Sequence, residues 1–515
     1  MSAHASKISI LILFLCIASA PLWLRPAVVT HNAAEDRLAD RLVIYTPNNE
    51  QIRYEVDRAF NAFREASGQS RVTFDWRASG GTSDLRRSIL SQFASKASQG
   101  RIDEGIGADL FFGGGEYDHQ KLVQGVAVPG KDSSARLSVS VPAGLSEMQL
   151  RAAFPEPTIG GERLYEPDQR WIGTALSSFG IVYNRDVLAM IGQPEPTTWS
   201  DLAAPAYRGW VALADPGHSG SIAATFDTVL RRRGWDAGWS ILRRCFANAR
   251  YFASSASKVP VDVSAGEAAA GMCIDFYGRF QAGAVAENGV SRVGYADPLV
   301  DGKSMTATTA DPISILLGAP HETLAREFVA WIISPEGQLI WQQAVSQASG
   351  QRYELRRQPI VRGLYLQDLS DWTDPDIDPF ATASEMGAGI PSFFSLVSSV
   401  SHAMAIDVHD DLRSAWEVIC QTPVSDPIHA RMVNLFNAMP TDLQVPWPDT
   451  GPKLNWFEVL ANTDHPRHRE AADAVSQFVG RLSTRSEEQR LKDQLRWTLF
   501  FQQQYRQVVE LSSGR

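Results

Sequence analysis

The stretch Val-Ala-Leu-Ala-Asp-Pro-Gly-His-Ser-Gly-Ser at residues 211–221 defines the unit from which the fold is predicted. Its four apolar residues are typical of a buried strand, its Pro-Gly pair predicts a turn, and its serines precede apolar residues at helical spacing. The first N–H groups of a helix lack intrahelical acceptors, and the helix dipole favours an anion beside them. We therefore expect an oxyanion site at this turn, with the alternative that Ser219 or Ser221 only caps the helix, which is the usual role of such serines.

The same unit recurs along the chain. Predicted strands at 42–45, 72–76 and 108–112 are each followed by a loop rich in Asn, Ser, Thr or Gly and then by a helical pattern. This order predicts an α/β fold with doubly wound parallel sheets, whose ligands lie beyond the carboxyl ends of the strands. The candidate ligand-binding residues come from these loops, from similar loops further on and from a strand-like run at 171–184: Asn48, Asn49, Gly80, Gly81, Thr82, Ser83, Gly114, Gly115, Ser177, Ser178, His218, Ser219, Ser221, Ser257, Lys258, Asp275 and Tyr277.

Composition narrows the class of protein. A chain of 515 residues with 44% apolar and 21% charged residues predicts an ordinary globular protein of two to four domains. The formal net charge of −10 argues against a nucleic-acid partner, which usually requires a basic surface. The four cysteines form no CxxC pair, so neither a zinc site nor a disulfide scaffold is indicated. A single Cys245–Cys273 bridge is conceivable in an oxidising compartment.

The N-terminus predicts export. Lys7 precedes an apolar run at 8–20, which ends in the small-x-small sequence Ala-Ser-Ala of a signal-peptidase site. Apolar residues resume at 21–24, so an uncleaved membrane anchor is the alternative. We expect residues 1–30 to be a signal peptide or an N-terminal anchor, and the remainder to be periplasmic or otherwise extracytoplasmic.

Beyond residue 350 the sequence changes character. Helical patterns are predicted at 392–405, 411–419, 428–439, 470–482 and 486–509, together with Trp residues that indicate a folded core. We therefore expect a mainly helical C-terminal extension over 351–515. It could pack on the first lobe, lengthen a partner surface or self-associate.

The order of these features resembles the periplasmic solute-binding proteins of ABC importers, specifically their ferric-type group. The resemblance spans roughly residues 41–350 and lies in several short motifs: Leu-Val-Ile-Tyr-Thr-Pro-Asn at 42–48, Ala-Asp-Leu-Phe-Phe-Gly-Gly at 108–114, Phe-Gly-Ile-Val-Tyr-Asn-Arg at 179–185, Thr-Trp-Ser-Asp-Leu at 198–202, Tyr-Arg-Gly at 207–209 and Ser-Pro-Glu-Gly-Gln at 334–338.

The resemblance implies a two-lobed type II periplasmic-binding-protein fold joined by hinge strands. Its first lobe would comprise residues 41–175 and 300–350, and its second lobe residues 176–299. Such a protein closes on a solute and presents it to an ABC permease. A ligand favours closure only if it contacts both lobes.

Two classes of ligand remain open. Ferric binders of this group typically carry an adjacent Tyr-Tyr pair, but the corresponding text here is Asp275-Phe276-Tyr277, and a phenyl ring cannot coordinate a metal. No cofactor is expected unless ferric iron is the transported ligand, in which case Glu116, His218, Asp275 and Tyr277 form the candidate set. Tyr277 could instead pack in the core, and His218 could be a solvated turn residue.

An oxyanion-bearing metabolite is the preferred ligand, because the loops offer N–H and hydroxyl donors and Lys258 could add a charge. Asp275 would suit a polyol that carries the phosphate or carboxylate. We do not expect an enzyme, since no nucleophile, zinc or Walker motif occurs in a suitable context. A membrane-anchored sensor of the same fold is the remaining alternative.

Overall fold

The computed structural model describes residues 40–128, 136–300, 303–346, 348–385, 390–448 and 454–513. The predicted signal or anchor at 1–30 lies outside the described residues. The strands, in chain order, are β1 Asp40–Tyr45, β2 Val72–Arg77, β3 Leu110–Phe112, β4 Val126–Ala127, β5 Arg136–Leu137, β6 Ser140–Val141, β7 Thr158–Ile159, β8 Glu162–Arg163, β9 Ile172–Ser177, β10 Phe179–Asn184, β11 Val211–Ala214, β12 Ala249–Ala253, β13 Ala270–Ile274, β14 Val293–Ala296, β15 Leu299–Val300, β16 Lys303–Ser304 and β17 Thr309–Leu316.

The α-helices are α1 Glu50–Ala66, α2 Thr82–Ser98, α3 Glu116–Gln124, α4 Glu147–Ala153, α5 Arg185–Met190, α6 Gly220–Arg233, α7 Trp235–Asn248, α8 Lys258–Ser264, α9 Asp275–Ala284, α10 Glu322–Ile332, α11 Pro335–Leu339, α12 Pro379–Thr382, α13 Phe394–Ser401, α14 His409–Gln421, α15 Pro427–Asn437, α16 Trp456–Ala461, α17 His468–Ser483 and α18 Glu487–Ser513. Short 3₁₀ turns occur at Ile102–Glu104, Asp201–Ala203, Pro205–Tyr207, Arg362–Leu366 and Thr441–Leu443, and a π-helical turn at His402–Ile406.

Two mixed sheets form the two lobes, which confirms the predicted two-lobed α/β class. The first has the order β2-β1-β3-β17-β6, with β9 also paired to β17, and the second has the order β12-β11-β13-β10-β14. In each sheet the strands of the βα units run parallel. The strands that cross between lobes, β10 and β17, are antiparallel to their neighbours, so neither sheet is wholly parallel.

The strand-like run at 171–184 crosses from one lobe to the other. It is two strands and not one, because β9 pairs in the first sheet whereas β10 pairs in the second, and Ser178 lies between them. Strand β17 later returns the chain to the first lobe. These two crossings place the carboxyl ends of the parallel strands of both lobes toward a common gap.

The stretch at 211–221 folds as predicted from its pattern. All four residues of β11 are buried, as expected for a central strand with helices on both faces. The Asp215 carboxylate accepts a hydrogen bond from the Gly217 N–H at 2.6 Å, which fixes the turn. The Ser219 hydroxyl then caps α6 by accepting from the Ile222 N–H at 3.4 Å.

The C-terminal extension packs on the second lobe from residue 390 onward. Its buried residues and those of the second sheet form one continuous hydrophobic core. Polar anchors accompany this packing: the Trp235 indole donates to the Leu443 carbonyl at 2.7 Å, and the Trp416 indole donates to Asn248 at 2.8 Å. The earlier segment, with buried Leu355, belongs instead to the core of the first lobe.

One local expectation is corrected by the structure. Cys245 and Cys273 are buried free thiols, each within its own element, so the conceivable bridge between them is absent. Among the described residues, no helix combines the length and apolarity that a membrane crossing requires.

A histidine joins the extension to the turn after β11. His402 Nε2 lies 3.0 Å from Asp215 Oδ1, and its Nδ1 lies 3.2 Å from Asp407 Oδ1. Burial opposes the charged imidazolium, but the hydrogen bonds and charges of Asp215 and Asp407 outweigh it and raise the pKa of His402.

We expect this contact to stabilise the fold at acidic to neutral pH. Because the folded pKa of His402 lies above its unfolded value near 6.5, the stabilisation is fully present below about pH 6.5 and is lost as pH rises through the folded pKa. The melting temperature of the wild type should therefore exceed that of His402→Gln at pH 6 and approach it at pH 9. His429→Gln, on α15 of the same extension, is the control. An equal difference at both pH values would contradict the assignment.

Candidate functional site

A cleft lies between the two lobes, with a cavity of about 150 Å³. Its walls come from the loops after the strands of both sheets and from the extension. The lining residues are Pro47, Asn48, Gly80, Gly81, Thr82, Gly114, Gly115, Asp118, Ser177, Phe179, Ser219, Gly220, Ser221, Ala224, Ser255, Ala256, Ser257, Ile274, Phe276, Tyr277, Thr309, Ala310, Asp311 and Phe394.

Helix starts from both lobes meet at this cleft. The first lobe contributes the starts of α2 and α3, whose N-caps are Gly81 and Gly115. The second lobe contributes the start of α6, capped by Ser219, and that of α8, preceded by Ser257. First-turn N–H groups lack intrahelical acceptors, and each helix start carries a partial positive charge. Because these positive ends lie around one cleft, the cleft favours an anion.

The lobes touch at the mouth of the cleft. His218 Nδ1 lies 3.3 Å from the carboxylate of Asp84, and the Arg87 guanidinium donates to the Gly217 carbonyl at 3.2 Å. At Gly81 a Cβ atom would lie 2.1 Å from the His218 carbonyl oxygen, so glycine alone allows this approach. The structure is therefore that of lobes closed on each other.

A buried arginine lies beneath the floor of the cleft. Arg357 is fully buried, forms an ion pair with Asp311 and donates to Asn48 and Ser177 at 3.4 Å each. Its guanidinium also lies 4.4 Å from the ring centroid of Phe276. Burial lowers the pKa of Arg357 to about 10, which leaves it charged at neutral pH.

Several buried polar atoms around the cleft have no partner within the protein. They are the Asn48 Nδ2 donor and the carboxylate oxygens Asp118 Oδ2 and Asp311 Oδ1. Burial raises the pKa of Asp118, although the neighbouring Arg86 opposes the shift. Because buried polar groups in proteins are rarely left unpaired, these atoms indicate contacts to a hydroxyl-rich ligand.

The structure brings together most of the residues that the sequence marked as candidates. Those lining the cleft are Asn48, Gly80, Gly81, Thr82, Gly114, Gly115, Ser177, Ser219, Ser221, Ser257 and Tyr277. Tyr277 is half-buried, and its ring also packs against Phe276, with centroids 4.4 Å apart.

The other candidates do not line the cleft. Asn49 caps α1, Ser178 donates to Asp297 at 3.2 Å, and Ser83 is buried in the first turn of α2. Lys258 was expected to face an anion, but its ammonium pairs with Asp262 one helical turn away at 2.6 Å. His218 lies at the mouth of the cleft, where the lobes touch, and its side chain is half-exposed.

The ferric candidate set is not assembled. Asp275 is buried beside Arg279, with a 3.3 Å contact between them, and burial raises its pKa to about 6. Glu116 and His218 lie outside the cleft lining, so only Tyr277 of the four lines it. Across the described part of the chain, no group of three His, Cys, Asp or Glu side chains is placed to hold a metal ion.

The polar and aromatic contributors that sequence reasoning missed include Asp118, Asp311, Arg357 and Phe394. Asp118 lies on the inner face of α3, one turn beyond the predicted Gly loop. Arg357 and Phe394 come from the part of the chain assigned to the extension, so only long-range packing brings them here.

The central region of the chain is similar to known proteins. Residues 152–355 match the family model described as bacterial extracellular solute-binding protein. The phosphoglycerate transport regulatory protein PgtC of Salmonella typhimurium is 27% identical over 171 residues, which are 33% of this chain and 40% of that protein. An uncharacterized protein of Haemophilus influenzae is 30% identical over 172 residues, 33% of this chain and 46% of that protein. The chain therefore aligns with less than half the length of these curated relatives.

A solved structure shares the fold. The periplasmic binding protein AfuA from Actinobacillus pleuropneumoniae, with exogenous fructose-6-phosphate bound, superposes with a TM-score of 0.50 at 16% identity. The match covers 73% of this chain and 97% of that one. The family and this neighbour are binding proteins by description.

Proposed function

We propose that this chain captures a small phosphorylated, hydroxyl-bearing metabolite outside the cytoplasm and delivers it to the permease of an ABC importer. The match of residues 152–355 to the bacterial extracellular solute-binding proteins supports this proposal. The observation that carries this proposal is the convergence of helix starts from both lobes on one cleft, beside unpartnered carboxylate oxygens.

The cleft offers separate contacts for the anionic group and for the hydroxyl groups of such a ligand. Helix starts and serine hydroxyls donate to the oxygens of a phosphate or carboxylate. Asp118 and Asp311 accept from hydroxyl groups of the same molecule, and would repel a ligand that is anionic throughout. A phosphorylated polyol or hydroxy acid carries both the anionic group and the hydroxyl groups that these contacts require. The names of the relatives, which mention phosphoglycerate and fructose-6-phosphate, are consistent with this class.

A ligand panel tests the proposal. The melting temperature should rise with 3-phosphoglycerate, glycerol 3-phosphate or fructose 6-phosphate and stay unchanged with glycerol or ferric citrate, because binding to the native state alone stabilises it. Ser221→Ala with Ser257→Ala should reduce the shift, whereas Ser414→Ala, exposed on α14 and outside the cleft lining, should leave it intact. A shift with ferric citrate alone would overturn the proposal in favour of iron transport. Recovery of the ligand as a chemically altered product would indicate an enzyme.

A regulatory role is the second candidate, and the description of PgtC as a transport regulatory protein favours it. In that case the closed, ligand-bound form would act on a membrane sensor in place of a permease. Both candidates use the same cleft. Transport predicts that radiolabelled ligand accumulates inside cells. Regulation predicts that transcription responds to the ligand without its uptake.

A further inference from the structure

A second cavity lies outside the ligand cleft, where the first lobe meets the C-terminal extension. Its volume is about 160 Å³. The first lobe contributes three side chains, Arg86, Tyr117 and Lys121, and the extension contributes polar and charged residues of α13, α17 and α18. The ion pair between Arg86 and Asp118, at 2.7 Å, separates this cavity from the cleft, because Asp118 lines the one and Arg86 the other.

Positive charge dominates this cavity. Lys121 donates only to the neutral Gln124, at 3.0 Å, and the guanidinium of Arg490 makes no hydrogen bond or ion pair with the described part of the chain. Burial lowers the pKa of Lys121, and the charges of Arg86, Arg136 and Arg490 lower it further. The cations thus repel one another.

The carboxylate in the cavity wall does not relieve this repulsion. Asp493 is buried, and its oxygens already bind Arg485, Arg496 and Gln489. The rest of the polar lining is made of hydroxyl groups, from Ser395, Ser399 and Ser483. A lining of hydroxyls and uncompensated cations is the donor set that a phosphoryl group or a similar oxyanion requires.

The cavity also adjoins the ligand cleft through an aromatic pair. The ring of Tyr117 lies 5.4 Å from Arg86 and 5.2 Å from Lys121, and it packs on Phe394 of the extension with centroids 4.4 Å apart. Phe394 in turn lines the cleft. The arrangement of this second cavity therefore depends on the same approach of the first lobe that closes the cleft.

We propose that this cavity is a second oxyanion site, which binds inorganic phosphate or the phosphoryl group of a metabolite between the first lobe and the extension. An anion here contacts Lys121 on one side and Arg490 on the other. It replaces their mutual repulsion with attraction and favours the closed arrangement over the open one. The inference does not depend on what the cleft binds.

Calorimetric titration tests the second site with two probes, inorganic phosphate and glycerol 3-phosphate. The double variant Lys121→Gln/Arg490→Gln should lose one binding event, or bind it at least about tenfold more weakly, because charge-assisted hydrogen bonds are removed on both sides. The probe whose second binding event is lost in the variant shows whether the site takes inorganic phosphate or the phosphoryl group of a metabolite. Lys492→Gln, also on α18 but paired with Glu488 outside the cavity, is the matched control and should titrate as the wild type does.

A second measurement keeps the test independent of folding. Arg490 is exposed, so Arg490→Gln alone should fold normally and still weaken the second event. In the wild type, phosphate should slow amide hydrogen exchange in α13 and at the start of α18, and this protection should vanish in the variant. Identical titrations of wild type and variants with both probes, or protection confined to the cleft loops, would overturn the second site. Neither result would affect the cleft proposal, which stands on its own ligand panel.

Discussion

Arg357→Met is expected to weaken binding of the phosphorylated ligand at least tenfold and to lower the free energy of unfolding by about 3–5 kcal/mol. Removal of the guanidinium leaves the Asp311 carboxylate buried without its ion-pair partner. That carboxylate lines the cleft, so its charge would then repel an anionic ligand directly. Isothermal titration and chemical denaturation measure the two effects separately.

A substitution of Asp311, the ion-pair partner of Arg357, separates the effect on binding from the effect on stability. Asp311→Asn leaves the cation of Arg357 uncompensated, so ligand affinity should be kept or raised while stability falls. The double variant Arg357→Met/Asp311→Asn should be more stable than Arg357→Met, because no unpaired charge remains. If Arg357→Met bound the ligand as tightly as the wild type, the buried pair would have no part in ligand binding.

Gly81→Ala is expected to hold the lobes apart and to weaken ligand binding at least tenfold. The added Cβ would lie 2.1 Å from the His218 carbonyl oxygen on the opposite lobe, a separation that backbone atoms cannot tolerate. A separation of the lobes relieves the clash without unfolding either of them. Small-angle scattering with saturating ligand should therefore give a larger radius of gyration than the wild type, with little change in melting temperature.

Gly363→Ala is the control for closure, since Gly363 lies outside the cleft lining and a Cβ there meets nothing within 4 Å. This variant should close on ligand as the wild type does. A Gly81→Ala protein with wild-type scattering and affinity would show that the close contact between Gly81 and His218 does not control ligand binding.

The sequence predicted those parts of the cleft that depend on local pattern. A strand followed by a Pro-Gly or Ser-Gly turn and a helix is recognisable within a dozen residues, so the positions of Gly81, Gly115 and Ser219 at helix starts could be predicted from their neighbours in the chain alone. The convergence of these starts on one cleft followed from the parallel order of the units.

What the sequence could not predict depends on contacts between distant segments. Arg357 lies 309 residues beyond Asn48, its partner at the cleft floor, and no local pattern marks it as part of the site. Lys258 is the opposite case, because its ammonium pairs with Asp262 one turn later, a partner that lies close to it in the sequence. A lysine and a carboxylate four residues apart on a helix predict such a pair from the sequence alone.

The union of the extension with the second lobe has a mechanical consequence. Because the two share one hydrophobic core, any rotation at the crossover near Ser178 carries the extension along as a rigid arm. Displacement grows with distance from the pivot, so a small angular change at the hinge moves most those parts of the extension that lie farthest from Ser178. The position of the extension relative to the first lobe therefore depends on whether the cleft is open or closed.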